Sequence, residues 1–183
     1  KKKKKPVGDF FDFSVEGYYK EIKDTPVATW GPVARFATAL AYADGTVRGV
    51  DLRLNLNYRR FYMGLGYGYS ITEYTTRQDH FGTWFGEPVQ SYNPPHDRRH
   101  QLNAQTGFNV GNFSTNVSWS YGSGLPYTRP LGFDSFFSFD QRPPDVTEDY
   151  GEPRVLLDKP FKGRMPDFHR LDISVAQAFN AGT

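Results

Sequence analysis

The clearest structural signal lies in Val50-Asp-Leu-Arg-Leu-Asn-Leu-Asn-Tyr58 and, after two arginines, in Phe61-Tyr-Met-Gly-Leu-Gly-Tyr-Gly-Tyr-Ser-Ile71. Apolar residues occupy every second position in both runs. This is the pattern of β-strands whose two faces meet different surroundings. Because only Arg59 and Arg60 separate the runs, the sequence predicts an antiparallel hairpin with one apolar face and one polar face.

Four further segments alternate in the same way, so that strands are predicted at about 9–21, 47–58, 60–75, 98–110, 112–122 and 167–179. The connections between these strands alternate along the chain between tight turns and long loops. Tight turns fall at 58–60 and 110–112, whereas long loops span about 23–46, 77–97 and 122–167. The last loop is rich in proline, which excludes a central strand within it.

Composition narrows the class of protein. The 183 residues are only 38% hydrophobic but 17% aromatic, which favours strands over helices and argues against a large soluble core. No run reaches the roughly 20 apolar residues of a membrane helix. The chain has no cysteine, which excludes disulfides and thiolate metal sites.

Short turns at one end and long loops at the other are typical of bacterial outer-membrane barrels, whose apolar side chains face lipid. The sequence therefore predicts an all-β, antiparallel up-and-down transmembrane β-barrel segment of about six strands, covering 9–183. Its turns would be periplasmic and its loops extracellular. Six strands leave two open edges, which a bilayer does not accept, so we expect the chain to be a piece of a larger barrel.

The lysine-rich terminus, residues 1–8, is interpreted as a tag or placeholder. Removing Lys1 to Lys5 would turn the formal net charge of +2 negative, so the basic character is confined to this run. Nucleic acid is therefore not expected as a partner.

Three segments carry a resemblance to a known family. They are Asn93-Pro-Pro-His-Asp-Arg-Arg-His100, Trp119-Ser-Tyr-Gly-Ser-Gly-Leu-Pro-Tyr-Thr128 and Arg164-Met-Pro-Asp-Phe-His-Arg-Leu-Asp172. In this order they resemble segments near the C-terminus of TonB-dependent receptors.

That resemblance implies a plugged outer-membrane transporter of about 22 strands. It would take up a scarce nutrient, with peptide, glycan, siderophore and vitamin left open. Its expected partners are outer-membrane lipid, the remaining barrel strands, the plug and, through the plug, TonB. The alternative is a soluble all-β binding module that recognises carbohydrate or protein.

Charged residues near the loop ends of two predicted strands are expected to form a structural rim cluster. Its predicted members are Asp97, Arg98, Arg99, His100, His169, Arg170 and Asp172. His96 and His100 have the spacing of a helical zinc site, but on an extended strand their Cβ atoms would be about 13 Å apart. Neither a metal site nor an enzyme is therefore predicted, since no serine lies in a hydrolase elbow.

The last long loop is the candidate ligand or partner surface, the partner being a substrate or a surface lipoprotein. Its candidate residues are Phe133, Phe136, Phe137, Asp140, Asp145 and Asp149. The carboxylates are candidates for calcium, and no other cofactor is expected. On the alternative interpretation, the phenylalanines only pack the loop upon itself.

Overall fold

The computed structural model describes residues 10–28, 40–76, 89–137, 147–148 and 150–179. The lysine-rich terminus lies outside the described residues. The described ranges contain no helix that could serve as a membrane span. The strands found there are β1 Phe11–Ala28, β2 Leu40–Tyr58, β3 Phe61–Thr76, β4 Gln90–Tyr92, β5 His100–Val110, β6 Phe113–Gly122, β7 Pro126–Tyr127, β8 Pro130–Phe136, β9 Glu152–Leu157, β10 Gly163–Arg164 and β11 Phe168–Gln177.

One antiparallel sheet dominates the architecture. Its strand order is β1-β2-β3-β5-β6-β11, and β4 pairs with the far end of β3. Successive long strands are therefore neighbours, as in an up-and-down sheet. The prediction of an all-β, antiparallel segment of about six strands is confirmed. Within the described residues the sheet does not close on itself, and β1 and β11 form its two edges.

Two tight turns lie at the same end of the sheet, which we call the turn end. Tyr58 pairs with Phe61 across Arg59 and Arg60, and Val110 pairs with Phe113 across the other turn. The first turn residue is left-handed in both cases, with φ 54° at Arg59 and 56° at Gly111. Glycine adopts this conformation without strain, whereas an arginine does so at a cost of about 1–2 kcal/mol.

The opposite end, the loop end, differs from the predicted boundaries. The predicted loop 23–46 is wrong in its limits, because β1 continues to Ala28 and β2 begins at Leu40. Val27 pairs with Ala41 there, beyond a β-bulge between Ile22 and Thr25. Backbone pairing does not require apolar and polar side chains to alternate. The β1–β2 hairpin therefore extends beyond the alternating pattern from which the strands were predicted.

The two other predicted loops also contain strands. β4 lies within 77–97, and β7 to β10 lie within 122–167. β7 pairs with β10, and β8 pairs with β9, in two small sheets separate from the main one. The proline-rich loop thus contributes no central strand to the main sheet, although it is more regular than predicted.

The register joins residues of like polarity into rows that cross all six long strands. One row consists of Phe13, Leu54, Leu65, Ala104, Trp119 and Leu171. The neighbouring row, one residue along each strand, consists of Ser14, Arg53, Gly66, Asn103, Ser120 and Arg170. Since successive side chains point to opposite sides, the sheet has an apolar face and a polar face.

The core of the described structure lies at the loop end of the polar face. Ala43, Tyr74 and Tyr92 are buried there, with Phe161 packed against them. The rings of Tyr92 and Tyr74 are 6.2 Å apart, and those of Tyr92 and Phe161 are 5.3 Å apart. Burial raises the pKa of Tyr92 to about 12, so the Tyr92 hydroxyl stays neutral at physiological pH.

Candidate functional site

The segment from Asn93 to His100 forms a compact connection into β5. Asp97 N donates to Pro94 O at 2.9 Å, and Arg98 N donates to His96 O at 2.9 Å. Asn93 Nδ2 donates to Thr72 O at 2.7 Å, which attaches the connection to the loop end of β3. Together with the bond from Thr72 N, these bonds place Asp97 beside the edge of β3 at Thr72.

Asp97 is buried, with 1% of its surface exposed. Its Oδ1 accepts a hydrogen bond from Thr72 N at 2.8 Å, and its Oδ2 accepts one from Arg164 Nη2 at 2.5 Å. Arg99 Nε lies 3.5 Å from Oδ2. A buried carboxylate is stable only when paired and hydrogen-bonded, and this one has both kinds of partner.

Arg164 joins three separate pieces of chain. Besides the carboxylate, its Nη1 donates to Asp97 O at 2.8 Å and to Gly124 O at 3.2 Å. The planar guanidinium presents several donors in a fixed geometry, which suits such a junction. We call Asp97, Arg164, Thr72, Arg99 and Gly124 the Asp97 junction.

The other predicted rim residues are divided between the two faces. Arg98 lies over Gly122, where an added Cβ would collide with its guanidinium. His100 Nδ1 lies 2.8 Å from the hydroxyl of Tyr67, and its ring is 5.0 Å from that of Tyr69. Tyr67 and Tyr69 belong to the apolar face, so His100 lies on that side.

The remaining predicted members lie on β11. His169 stacks on Trp119 at 6.3 Å between ring centroids and lies 5.0 Å from the ring of Tyr121. Arg170 Nε donates to Asp172 Oδ2 at 2.8 Å, in an exposed pair. The structure therefore brings together Asp97, Arg99 and Arg164, but it places His169 and the Arg170–Asp172 pair in separate environments.

Asp167 holds the entry to β11. Its Oδ2 accepts a hydrogen bond from Tyr121 Oη at 2.8 Å, and its Oδ1 accepts one from Gly124 N at 2.9 Å. These two bonds to the charged form, with the Tyr121 bond the larger effect, hold the pKa of Asp167 below its usual value of 3.8.

Low pH is therefore expected to weaken the hydrogen bonds that Asp167 accepts from Tyr121 and Gly124. A carboxylate whose pKa is lowered by folding stabilises the folded state above its unfolded pKa, and the effect is lost as the pH falls through the folded pKa. The melting temperature of the folded barrel should drop below about pH 4, near the unfolded value. Asp167→Asn should flatten this dependence in a gel-shift melting series from pH 6 to pH 3; equal slopes would contradict the assignment.

His96 and His100 do not share a site. His96 lies against Tyr74, with ring centroids 5.7 Å apart, whereas His100 lies against Tyr67 on the other face. Within the described ranges, no group of three or more His, Cys, Asp or Glu side chains is placed to hold a metal ion.

The candidate partner loop is only partly described. Phe133 is 78% exposed, and Phe137 is half-buried. The guanidinium of Arg154 lies 5.8 Å from the ring centre of Phe136 and also pairs with Asp134. Asp140, Asp145 and Asp149, the candidate calcium ligands, lie outside the described residues.

A groove of about 640 Å³ runs along the polar face. The glycines of β3 form its floor, and at Gly66 an added Cβ would find only Asn103 O, 4.0 Å away. Its polar lining includes Asp12, Ser14, Glu16, Asp51, Arg53, Asn55, Gln101 and Asn103. Charged side chains line one side and amides the other, as suits a wet surface rather than a packed core.

Elsewhere on the polar face an aromatic ring covers a glycine. Tyr62 lies over Gly107, where an added Cβ would collide with the ring, and its hydroxyl donates to Asn116 Oδ1 at 2.9 Å. Gly107→Ala should expel Tyr62 and break this bond, at a cost of about 1–2 kcal/mol. Gly66→Ala, in open space on the same face, is the control and should be neutral. Urea unfolding of both variants checks the difference, and equal midpoints would refute it.

Sequence reasoning missed the neutral partners of the Asp97 junction. Thr72 contributes a backbone N–H, which any residue type could supply, so no signal in the sequence marks it. Asn93 lies in one of the segments that carry the resemblance, and this is the feature of the sequence that could have identified it. Tyr92 and Phe161 lie in predicted loops, where no periodicity identifies a buried ring.

Comparison with known proteins gives one result. A family model described as "TonB dependent receptor-like, beta-barrel" matches residues 5–182. No curated protein and no solved structure matches the chain significantly.

Proposed function

The chain belongs to the TonB-dependent receptor-like β-barrel family, and from this premise we propose that it is a wall segment of a transporter that takes up a nutrient across the bacterial outer membrane. Members of this family are outer-membrane transporters rather than enzymes. The apolar face then contacts lipid, the polar face lines the lumen, the turn end is periplasmic and the loop end is extracellular.

The contrast between the two faces is the observation that carries this proposal. Val50, Phe108 and Trp119, which lie on inner strands of the sheet and belong to the apolar face, are 41%, 45% and 39% exposed. From Phe61 to Tyr69 this face extends about 26 Å along β3 at about 3.3 Å per residue. That length is close to the apolar band, about 25 Å tall, of outer-membrane barrels. Such a surface is stable against acyl chains and unstable in water.

Both ends of the apolar face carry aromatic residues, which supports the proposal that this face spans the bilayer. Tyr58, Phe61 and Phe108 lie at the turn end. Toward the loop end there are two groups of rings in contact, one of Tyr67, Tyr69 and His100 and one of Trp119, Tyr121 and His169. Amphipathic rings prefer the two membrane–water interfaces, where one edge is apolar and the other is hydrated.

On this proposal the polar groove is part of the wall that faces the plug and the passing nutrient. Energy would reach the barrel from TonB through the plug. The nutrient is a peptide, glycan, siderophore or vitamin. Exposed Leu131 and Phe133 on β8 supply apolar contacts for it or for a surface lipoprotein, and calcium binding by the acidic residues of the same loop is part of the proposal.

Membrane extraction of the receptor that contains this chain separates the proposal from the soluble alternative. The receptor should stay with the outer membranes after carbonate and high-salt washes and should require detergent for release. A monodisperse monomer recovered without detergent would instead establish the soluble binding module. A strain that lacks the receptor, grown on a panel of the four nutrient classes, should then fail on one class and regain growth with the intact gene.

A further inference from the structure

The two tight turns of the turn end place different residues at the same kind of backbone position. The first turn residue is left-handed in both, and it is Gly111 in one turn and Arg59 in the other. Glycine adopts this conformation freely, whereas a residue with a Cβ adopts it only at a cost. Residues held in such conformations cluster at functional sites. The arginine therefore indicates a function that glycine at the same position does not supply.

The guanidinium of Arg59 lies at the boundary of the apolar face. Its Cζ is 5.3 Å from the centre of the Tyr58 ring, in a cation–π contact. Tyr58 is the last residue of β2 and pairs with Phe61, which in turn pairs with Phe108 of β5. These three rings are 54%, 37% and 45% exposed. The contact with Tyr58 therefore holds a positive charge beside an exposed row of rings.

The charge at this end of the sheet is not neutralised by the described part of the chain. Arg60 is exposed, like Arg59, and neither side chain pairs with a described carboxylate. Arg154 and Arg170, in contrast, each pair with an aspartate. Among the described residues of the turn end, no aspartate or glutamate occurs in 10–11, 57–62, 108–113 and 177–179. The first turn thus presents two positive charges to an outside partner.

A phospholipid headgroup has the chemistry that this surface requires. On the proposed function, on which this inference rests, the apolar face contacts acyl chains and its terminal rings lie at the membrane–water interface. Headgroup phosphates lie at the same level. Guanidinium groups bind phosphate through paired hydrogen bonds, and anionic lipids attract basic residues next to the membrane. We propose that Arg59 and Arg60 bind the phosphate of an anionic phospholipid in the leaflet at the turn end, with Tyr58 positioning Arg59.

Native mass spectrometry of the intact receptor in neutral detergent measures this headgroup preference. The parent should bind phosphatidylglycerol more tightly than phosphatidylcholine with the same acyl chains. The double variant Arg59→Gly/Arg60→Gln should weaken phosphatidylglycerol binding about 25-fold, because each basic residue next to an anionic surface contributes about fivefold. The double variant Arg154→Gln/Arg170→Gln is the charge-matched control. It removes two arginines that already have carboxylate partners, and it should keep the preference.

Three results would overturn the proposal. They are an unchanged preference in Arg59→Gly/Arg60→Gln, an equal loss in the control, and displacement of the bound lipid by inorganic phosphate at the same concentration. The last result would mean that the turn recognises a free anion instead of a lipid. If the double variant fails to fold, Arg60→Gln alone should weaken phosphatidylglycerol binding about fivefold, and an unchanged affinity would have the same force.

Stability in neutral detergent separates lipid binding from a structural role of the turn. Glycine fits the left-handed position without strain, so Arg59→Gly should not lower the urea unfolding midpoint there, although it weakens lipid binding. A lowered midpoint would show that Arg59 maintains the turn itself and would contradict the proposal. Failure of the proposed function would appear separately, as a monomer that needs no detergent. Failure of this inference alone would leave a membrane-bound receptor without a headgroup preference.

Discussion

A receptor carrying Leu65→Arg is expected to lose about 2–4 kcal/mol of stability, the cost of an arginine on the lipid face near the bilayer midplane. Leu65 lies in the middle of the apolar face, between Leu54 and Ala104 in the same row. Because lipid offers no hydrogen bonds, the guanidinium must draw water or headgroups inward. Urea unfolding in vesicles measures the loss.

The matched control places the same side chain on the other face. Asn103 pairs with Gly66 and lines the polar groove, so Asn103→Arg puts the charge in a wet lumen. That variant should remain within about 0.5 kcal/mol of the parent, as for a surface substitution. If Asn103→Arg proved as costly as Leu65→Arg, the assignment of the two faces would be untenable.

The second large effect is expected for Asp97→Ala, which should cost about 1.5–3 kcal/mol, the range for hydrogen bonds to a charged group. Truncation leaves Arg164 without its carboxylate and Thr72 N without its acceptor. The loop end of β3 and β5 should then fray. Hydrogen exchange of the Thr72 amide and the unfolding midpoint both report this loss.

An exposed pair serves as the comparison for Asp97. The Asp172 side chain is 53% exposed and pairs with Arg170. Exposed ion pairs contribute at most about 1 kcal/mol, so Asp172→Ala should have little effect. Equal losses of stability in Asp97→Ala and Asp172→Ala would show that the contribution of Asp97 does not depend on its burial.

The sheet could be predicted from the sequence because each long strand shows its own alternation of apolar and polar residues. Alternation in 50–71 fixes both faces of β2 and β3, and the two-residue turn fixes their register. β1 beyond Ile22 carries no such evidence, since charged residues and Pro26 interrupt the pattern. In that part of β1 the backbone still pairs with β2, but the side chains no longer alternate between apolar and polar.

The candidate site was less predictable, for two reasons. His169 and Arg170 are adjacent on a strand and therefore point to opposite faces, which already argues against a single rim cluster. The contact of Asp97 with Arg164 joins residues that are 67 positions apart. Only the folding of the chain between β6 and β11 brings them together, and no local pattern in the sequence encodes it.

Accessibility of spin labels to oxygen and to a water-soluble nickel chelate tests the central claim most directly. Labels would be placed singly, in membrane-inserted receptor, at Leu54, Leu65 and Ala104 of one row and at Arg53, Asn103 and Ser120 of its neighbour. The first three should favour oxygen, which concentrates in lipid, and the second three should be shielded from lipid. Oxygen preference at the second set, or none at the first, would contradict the account.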